Sequence, residues 1–446
     1  MKNLFKKYDV PAPRYTSYPT VPYWETTPSS QAWIENLNSS LQKPSASWSL
    51  YMHIPYCETL CTFCGCNTVI TKDHKKESGY IQSLHQEWNA YLQHVPSLKK
   101  VPLKHLHLGG GTPTFLSAQS LQELLEPMLK SVNLDPEFEG SIEVDPRRTT
   151  KDQLVVLREL GFQRVSLGVQ DFDPEVQKLI NRIQPFEITE DITRISRELG
   201  FTSVNFDLIY GLAKQTKESI RESVKKTIQL RPDRIALYSL AIVPWIKPAQ
   251  RLFKDEDLPQ GEDKRALYEI CRESLLTTGY VEIGMDHFAL PTDGLALATK
   301  NQSLHRNFMG YTNHRTDVLL GLGVSSISET TEMFHQNEKV LPTYQQLVGD
   351  EKIPTFRGHC LNQEDQTRRN QILQFMTTGK VVLLDQQKQQ AQSFLKEMLD
   401  DGLIQLTMNE MILTDIGRPF LRNACMFFDE RLKKKNPTTQ VFSKSL

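Results

Sequence analysis

The sequence predicts an α/β protein: a partial (β/α)6-type barrel of parallel strands with an extended N-terminal arm and a small, mostly helical, winged-helix-like C-terminal domain. Three observations predict it. Strand-like and helix-compatible runs alternate between residues 49 and 240, which calls for parallel strands joined by right-handed crossovers. The pentapeptide RELGF occurs at 158–162 and again at 197–201, each time leading from a helix into a strand. The texture of the chain then changes near residue 355.

In order along the chain, Pro11, Pro13, Pro19 and Pro22 rule out a regular helix over 11–24 and predict an extended arm spanning 1–47. Strands are predicted to begin the runs 49–54, 103–108, 141–144, 164–169, 203–209 and 234–240, with helices over 77–94, 117–132, 151–160, 187–199 and 217–230. In both RELGF copies the glycine suits a left-handed helix cap, and Thr278-Gly279-Tyr280 reads as a weaker third copy. These units and a substrate-binding extension are placed in a domain over 48–350. The rest, 351–446, is predicted as a lid-like domain: a helix over 386–401, a hairpin from 403–406 and 411–414, and a helix over 419–432.

Composition excludes some function classes. Among 446 residues, 52 are basic and 53 acidic, so there is no electrostatic footprint for nucleic acid or an anionic membrane surface. The start, MKNLFKKYDV, lacks an apolar stretch of signal-peptide length, and no later run approaches a membrane span. A reducing cytoplasmic location and a monomer are expected.

Four of the seven cysteines fall within CETLCTFCGC at 57–66. Cys57, Cys61 and Cys64 make a C-x3-C-x2-C triplet, and three thiolates on one tight loop can hold three irons of a [4Fe–4S] cluster while leaving the fourth open. A structural zinc site on the clustered cysteines is the other reading, although its usual signature is two separated pairs of ligands. Further on, HLGGGTPT at 107–114 places three glycines directly after a strand, where unshielded backbone groups could bind an amino acid's charged ends. Glu143, Gln170 and Asp207 fall at the ends of successive strands and offer acceptors suited to ribose hydroxyls. Arg182 could fork a carboxylate. Because these motifs gather at strand carboxyl ends, the partial barrel is favoured over a doubly wound sheet. The tracts 283–291 and 304–311 mix His, Arg, aromatic and Gly residues in a way that suits a pocket for an aromatic anion.

With Phe63 just before its third cysteine, the triplet resembles that of the radical S-adenosylmethionine superfamily. Over nearly the whole chain the sequence resembles oxygen-independent coproporphyrinogen III oxidases. The matching stretches are 13–20 (PRYTSYPT), 53–67, 109–114, 141–146, 168–172, 207–212, 284–289, 305–308 and 323–328. The resemblance implies oxidative decarboxylation of two propionates of coproporphyrinogen III to the vinyl groups of protoporphyrinogen IX, in haem biosynthesis. A 5′-deoxyadenosyl radical would take a hydrogen from the propionate β-carbon, and the electron donor and acceptor are unidentified. It further implies that Cys57, Cys61 and Cys64 hold the cluster and that two S-adenosylmethionine molecules bind. Tyr51, Phe63, Gly110, Glu143 and Ile327 would contact the molecule on the open iron. Gly111, Thr112, Gln170, Arg182, Asp207 and Ala241 would contact the second. Cys66 and Tyr51 are the expected catalytic-site residues, with Cys66 not an iron ligand.

Two departures stand out. Ala213 replaces the family's usual proline, and QILQFMTTGKVV at 371–382 differs from its usual cysteine-containing helix, which bears on substrate identity if that segment closes over the substrate. For a substrate with four propionates, Arg14, Arg251, Arg306 and Arg315 are the candidate cations. Two alternatives share the triplet: a haem-transfer protein, which typically lacks Cys66 and the RYTSYP arm, and a radical enzyme acting on another tetrapyrrole.

Overall fold

All six predicted strand–helix units are present, and a seventh parallel strand joins them, in a computed structural model that describes residues 2–435 and 441–445. The parallel strands are β1 (Trp48–Ile54), β2 (Leu103–Gly110), β3 (Leu134–Val144), β4 (Phe162–Gln170), β5 (Ser203–Tyr210), β6 (Arg234–Ser239) and β7 (Val318–Leu322). Their order is β7-β1-β2-β3-β4-β5-β6, within one sheet of twelve strands. Antiparallel strands extend both edges: Ile327–Glu329, Met333–Asn337 and Thr355–Cys360 beyond β7, and His287–Ala289 and Val281–Ile283 beyond β6. The sheet therefore runs past residue 350.

Local chemistry explains the joints. Ser117 caps the helix Ala118–Lys130, while Thr150 and Thr216 form capping boxes on Lys151–Glu159 and Lys217–Leu230. Gly161 and Gly200 of the RELGF copies sit at φ +87° and +85°, as left-handed caps require. The third copy differs in outcome. It feeds Val281–Ile283, which turns back onto His287–Ala289, and so short a connection can only make an antiparallel pair. Strand β7 escapes the alternation because it follows the hairpin His305–Asn307/Gly310–Thr312 rather than a helix.

The inner face of the barrel is polar. Ser49 and Tyr51, His105 and His107, Ser141 and Glu143, Arg164 and Ser166, and Asn205 and Asp207 alternate with apolar residues that pack outward into the main core. A closed barrel packs its interior with bulky aliphatic residues; a polar interior leaves room for a ligand. Outside the barrel, Glu87 is fully buried and accepts from Gly323 N (2.8 Å), Asn337 Nδ2 (2.6 Å) and Tyr344 OH (2.6 Å), tying the helix Lys76–His94 to the turn after β7. Burial pushes its carboxyl up to about 7 against these hydrogen bonds. A raised acid binds more protons folded than unfolded, so its contribution to stability is full below the unfolded value and lost as pH rises through about 7. Glu87→Gln should remove that part of the pH dependence, measured as the difference between wild-type and variant urea midpoints from pH 4.5 to 8. Parallel curves would refute it.

The N-terminal and C-terminal segments share one core. Phe5, Tyr8, Tyr15 and Tyr18 pack with Ile372, Phe375, Met411 and Phe428. The arm is irregular over 11–20 as predicted, but helices Lys2–Tyr8 and Ser30–Leu41 flank it, so 1–47 is not extended throughout. In the C-terminal region the predicted hairpin appears as Ile404–Leu406 and Glu410–Leu413, joined by Lys380–Val382 as a third strand. The predicted helix over 419–432 is broken into short pieces: a 3-10 turn at Arg418–Phe420, Leu421–Cys425, a second 3-10 turn at Met426–Phe428, and Glu430–Lys435. Buried Asp429, whose carboxylate accepts from Tyr15 OH at 3.1 Å, sits at the break. The divergent segment 371–382 supplies Ile372, Phe375 and Met376 to this same core. No helix among the described residues is long and apolar enough to cross a membrane.

Candidate active site

Strand β1 delivers the cysteine loop to the carboxyl end of the barrel. The loop closes where Tyr56–Cys57 pairs in parallel with Val69–Ile70. It is pinned to the end of the helix Pro174–Leu179 by Thr62 N to Ile180 O (3.1 Å) and by Asn181 Nδ2 to Leu60 O (2.8 Å). Gln250 Nε2 donates to both Phe63 O (3.1 Å) and Ala241 O (3.0 Å), joining the loop to the segment after β6. Cys57, Cys61 and Cys64 are partly exposed free thiols lining a cavity of about 340 Å³, and Cys66, also on its wall, is exposed.

Polar groups reach two of the three triplet sulfurs. Thr112 Oγ1 lies 3.3 Å from Cys57 Sγ, and Arg182 Nη1 lies 3.8 Å from Cys61 Sγ. Hydrogen bonding with Cys66, aided by the charges of Lys247 and Arg182, pulls the Cys64 thiol down to about 6, whereas burial pushes Cys57 up to about 11. Among the described residues no three His, Cys, Asp or Glu side chains gather tightly enough for a single ion. The loop therefore offers three separate soft donors along one wall, which fits an iron–sulfur cluster better than a zinc knot.

Beside the cysteine loop, the glycine run at the end of β2 approaches β1 and the residues after it so closely that a side chain would collide. A Cβ at Gly111 would stand 2.7 Å from Pro55 O, and one at Gly109 3.0 Å from the Tyr51 ring. Gly110 N donates to Glu143 Oε2 (3.2 Å), and His107 Nε2 lies 3.4 Å from Glu143 Oε1. Burial opposes ionisation of Glu143, but His107 and the Gly110 amide hold its carboxyl below the usual range. Asp207, by contrast, is pushed up to about 6 by burial and by the Glu143 charge, although Ser166 Oγ (3.0 Å) and Asn205 Nδ2 (2.9 Å) donate to it. Gln170 ends β4 in the left-handed region, at φ +70°, and faces the cavity. Arg182 donates to Gly168 O (2.6 Å) and Asp145 Oδ2 (3.2 Å).

Most of the sequence-predicted residues share this one cavity: Cys57, Cys61, Phe63, Cys64, Cys66, Gly110, Gly111, Thr112, Glu143, Gln170, Arg182 and Asp207 all line it. Three are not among its lining residues. Tyr51 stacks on His107 at 6.0 Å and contacts His53 Nδ1 through its hydroxyl at 3.0 Å. Ala241 follows β6 and presents its carbonyl to Gln250. Ile327 backs onto Gly321, the β7 partner of Tyr51. Sequence reasoning gave no role to His105, Asp145, Arg164, Arg234 or Tyr238, which also line the cavity. The period-two alternation of β2, β4 and β6 was the signal that marks most of them. Of the candidate cations, Arg251 and Arg315 are exposed, Arg14 lines a second cavity of about 290 Å³, and Arg306 is buried.

Residues 51–227 match the family model of the radical SAM superfamily. The chain is 39% identical over 442 residues to the oxygen-independent coproporphyrinogen III oxidase of Escherichia coli (strain K12), covering 97% of this chain and 95% of that one. It is also 39% identical to the enzyme of the same name from Pseudomonas aeruginosa, over 97% of this chain and 96% of that one. The solved structure of coproporphyrinogen III oxidase (HemN) from Escherichia coli, described as a radical SAM enzyme, superposes with a TM-score of 0.88 at 38% identity, covering 94% of this chain and 98% of that one. With a loop of three soft donors, a glycine cradle beside it and likeness over nearly the full length, the chain belongs to the oxygen-independent coproporphyrinogen III oxidase family of the radical SAM superfamily.

Proposed function

We propose that this protein converts coproporphyrinogen III to protoporphyrinogen IX without oxygen, as a cytoplasmic monomer that acts independently of membranes and nucleic acids. The observation that carries the reading is one cavity lined both by the cysteine triplet and by the acceptors at the ends of β3, β4 and β5. In each of two propionates the β-carbon gives up a hydrogen atom, the carboxylate leaves as CO2, and one electron passes to an acceptor outside the chain.

Cys57, Cys61 and Cys64 would hold a [4Fe–4S] cluster, which with S-adenosylmethionine supplies the hydrogen-abstracting 5′-deoxyadenosyl radical. The chain's own residues do the positioning. Gly110 and Gly111 let backbone approach the ligand, and Gly110 N–H fixes Glu143 beside it. Tyr51, His53 and Asn67 form a connected line behind the cysteine loop, with His53 Nε2 2.9 Å from Asn67 O. Burial lowers the pKa of His53, so it stays neutral there. Thr112, Gln170, Arg182, Asp207 and Ala241 are proposed for a second S-adenosylmethionine, and the raised Asp207 carboxyl suits hydrogen bonding to neutral hydroxyls.

The test is anaerobic. Cluster-loaded protein given reductant, S-adenosylmethionine and coproporphyrinogen III should yield 5′-deoxyadenosine and protoporphyrinogen IX together. Deoxyadenosine without the vinyl product would assign a different tetrapyrrole. Neither product from a fully loaded protein would sink the enzyme reading.

A further inference from the structure

Arg306 is a buried charge that the fold leaves without a partner. It lies in the strand His305–Asn307, across from Tyr311, and is only 4% exposed. Its guanidinium sits 4.4 Å over the Tyr311 ring. Nε and Nη1 are buried and have no hydrogen-bond partner. Other buried arginines have their N–H groups occupied: Arg234 pairs with Asp293 at 2.7 Å, and Arg422 donates to the backbone carbonyls of Ala12 and Pro13. Asp286 feels the Arg306 charge, but its Oδ1 accepts from His287 Nδ1 at 2.7 Å instead. A buried guanidinium with empty N–H positions is costly in the free protein, and a planar anion is what its fork geometry accepts.

Arg306 is not itself on a cavity wall, but the residues around it are, on two sides. Tyr311, against which Arg306 packs, lines the main cavity together with Met309 and Thr312 of the same hairpin, and the cysteines line that cavity too. On another side, Met285 and Asp286 line the second cavity, which also receives Arg14 of the N-terminal arm. We propose that Arg306 is a carboxylate anchor that takes a propionate of the tetrapyrrole on the N–H groups the protein leaves unpaired. This rests on the tetrapyrrole reading above. It also ranks the four candidate cations: Arg251 and Arg315 remain exposed to water, and Arg14 already donates to Ser239 O at 2.8 Å.

The test uses full-length, cluster-loaded protein under anaerobic equilibrium dialysis, with coproporphyrinogen III and S-adenosylmethionine measured separately. Arg306→Met should weaken coproporphyrinogen III binding at least about tenfold and leave S-adenosylmethionine affinity within about twofold. It should melt no lower than wild type, because it removes an unpaired buried charge. Arg306→Lys should recover part of the lost affinity. Unchanged coproporphyrinogen III affinity would overturn the anchor and leave the oxidase reading standing. An equal loss for S-adenosylmethionine would assign the carboxylate to that ligand's methionine and overturn it as well. A lower melting temperature in Arg306→Met would make the arginine structural. Wild-type protein that binds no coproporphyrinogen III would remove the substrate reading itself, and the anchor with it.

Discussion

Cys61→Ala is expected to give a folded protein with deoxyadenosine formation at background and iron and sulfide far below a full cluster. Cys61 is a partly exposed residue on a loop that other contacts hold: the pairing of Tyr56–Cys57 with Val69–Ile70, and the bonds from Asn181 and Thr62. Its loss should therefore change unfolding free energy by no more than about 0.5 kcal/mol, as surface substitutions do. The chemistry is less forgiving. With one soft donor gone from three, two cysteines cannot hold three corners of a cube, and Arg182, 3.8 Å from Cys61 Sγ, is left beside a methyl group. Cys66→Ala provides the contrast: it should keep its iron, since Cys66 stands outside the C-x3-C-x2-C triplet. A Cys61→Ala protein with full iron and sulfide content would show that the triplet is not the ligand set.

The site was legible in the sequence because its parts are local. The C-x3-C-x2-C spacing, the glycine run at 109–111 and the acceptors at strand ends each announce themselves within a few residues, and the strand–helix alternation puts them on one rim. What was not legible depends on contacts between distant segments. Strand β7 is defined by pairing with β1, hundreds of residues earlier, and follows a hairpin where the pattern expects a helix. The break in the predicted helix over 419–432 comes where Asp429 meets Tyr15 of the N-terminal arm, a partnership that local periodicity cannot reveal. The divergent 371–382 segment illustrates the same limit. The family resemblance implies that it is unusual, and only packing shows that Ile372, Phe375 and Met376 face a core shared with the arm. Arg164 and Arg234 hid for another reason: a charged residue opening a strand reads as a boundary until an acid on a neighbouring element accounts for it.

Gly111→Ala should cost far more than its single methyl group suggests. The new Cβ would stand 2.7 Å from Pro55 O and 2.8 Å from Tyr56 O, both backbone atoms that no rotamer change can move aside. The same few residues carry the hydrogen bonds that join the two halves of the site, Gly111 N to Ile54 O (2.8 Å) and Thr112 N to Tyr56 O (2.9 Å), and Cys57 is the next residue along. Relief of the collision must therefore separate the glycine cradle from the cysteine loop. Overpacking of this kind costs about 1–3 kcal/mol in stability. A displacement approaching 1 Å between reacting groups is worth roughly a hundredfold in rate, so deoxyadenosine formation should fall by about that factor in protein that still folds. Gly65→Ala, inside the cysteine loop itself, is the matched control: nothing lies within 4 Å of its Cβ position, so stability and product formation should stay near wild type. The pair separates two accounts of why glycines crowd this site. If both variants fail equally, loop flexibility is what the glycines provide; if only Gly111→Ala fails, it is the close approach of two backbones, which the geometry of Pro55 and Tyr56 requires.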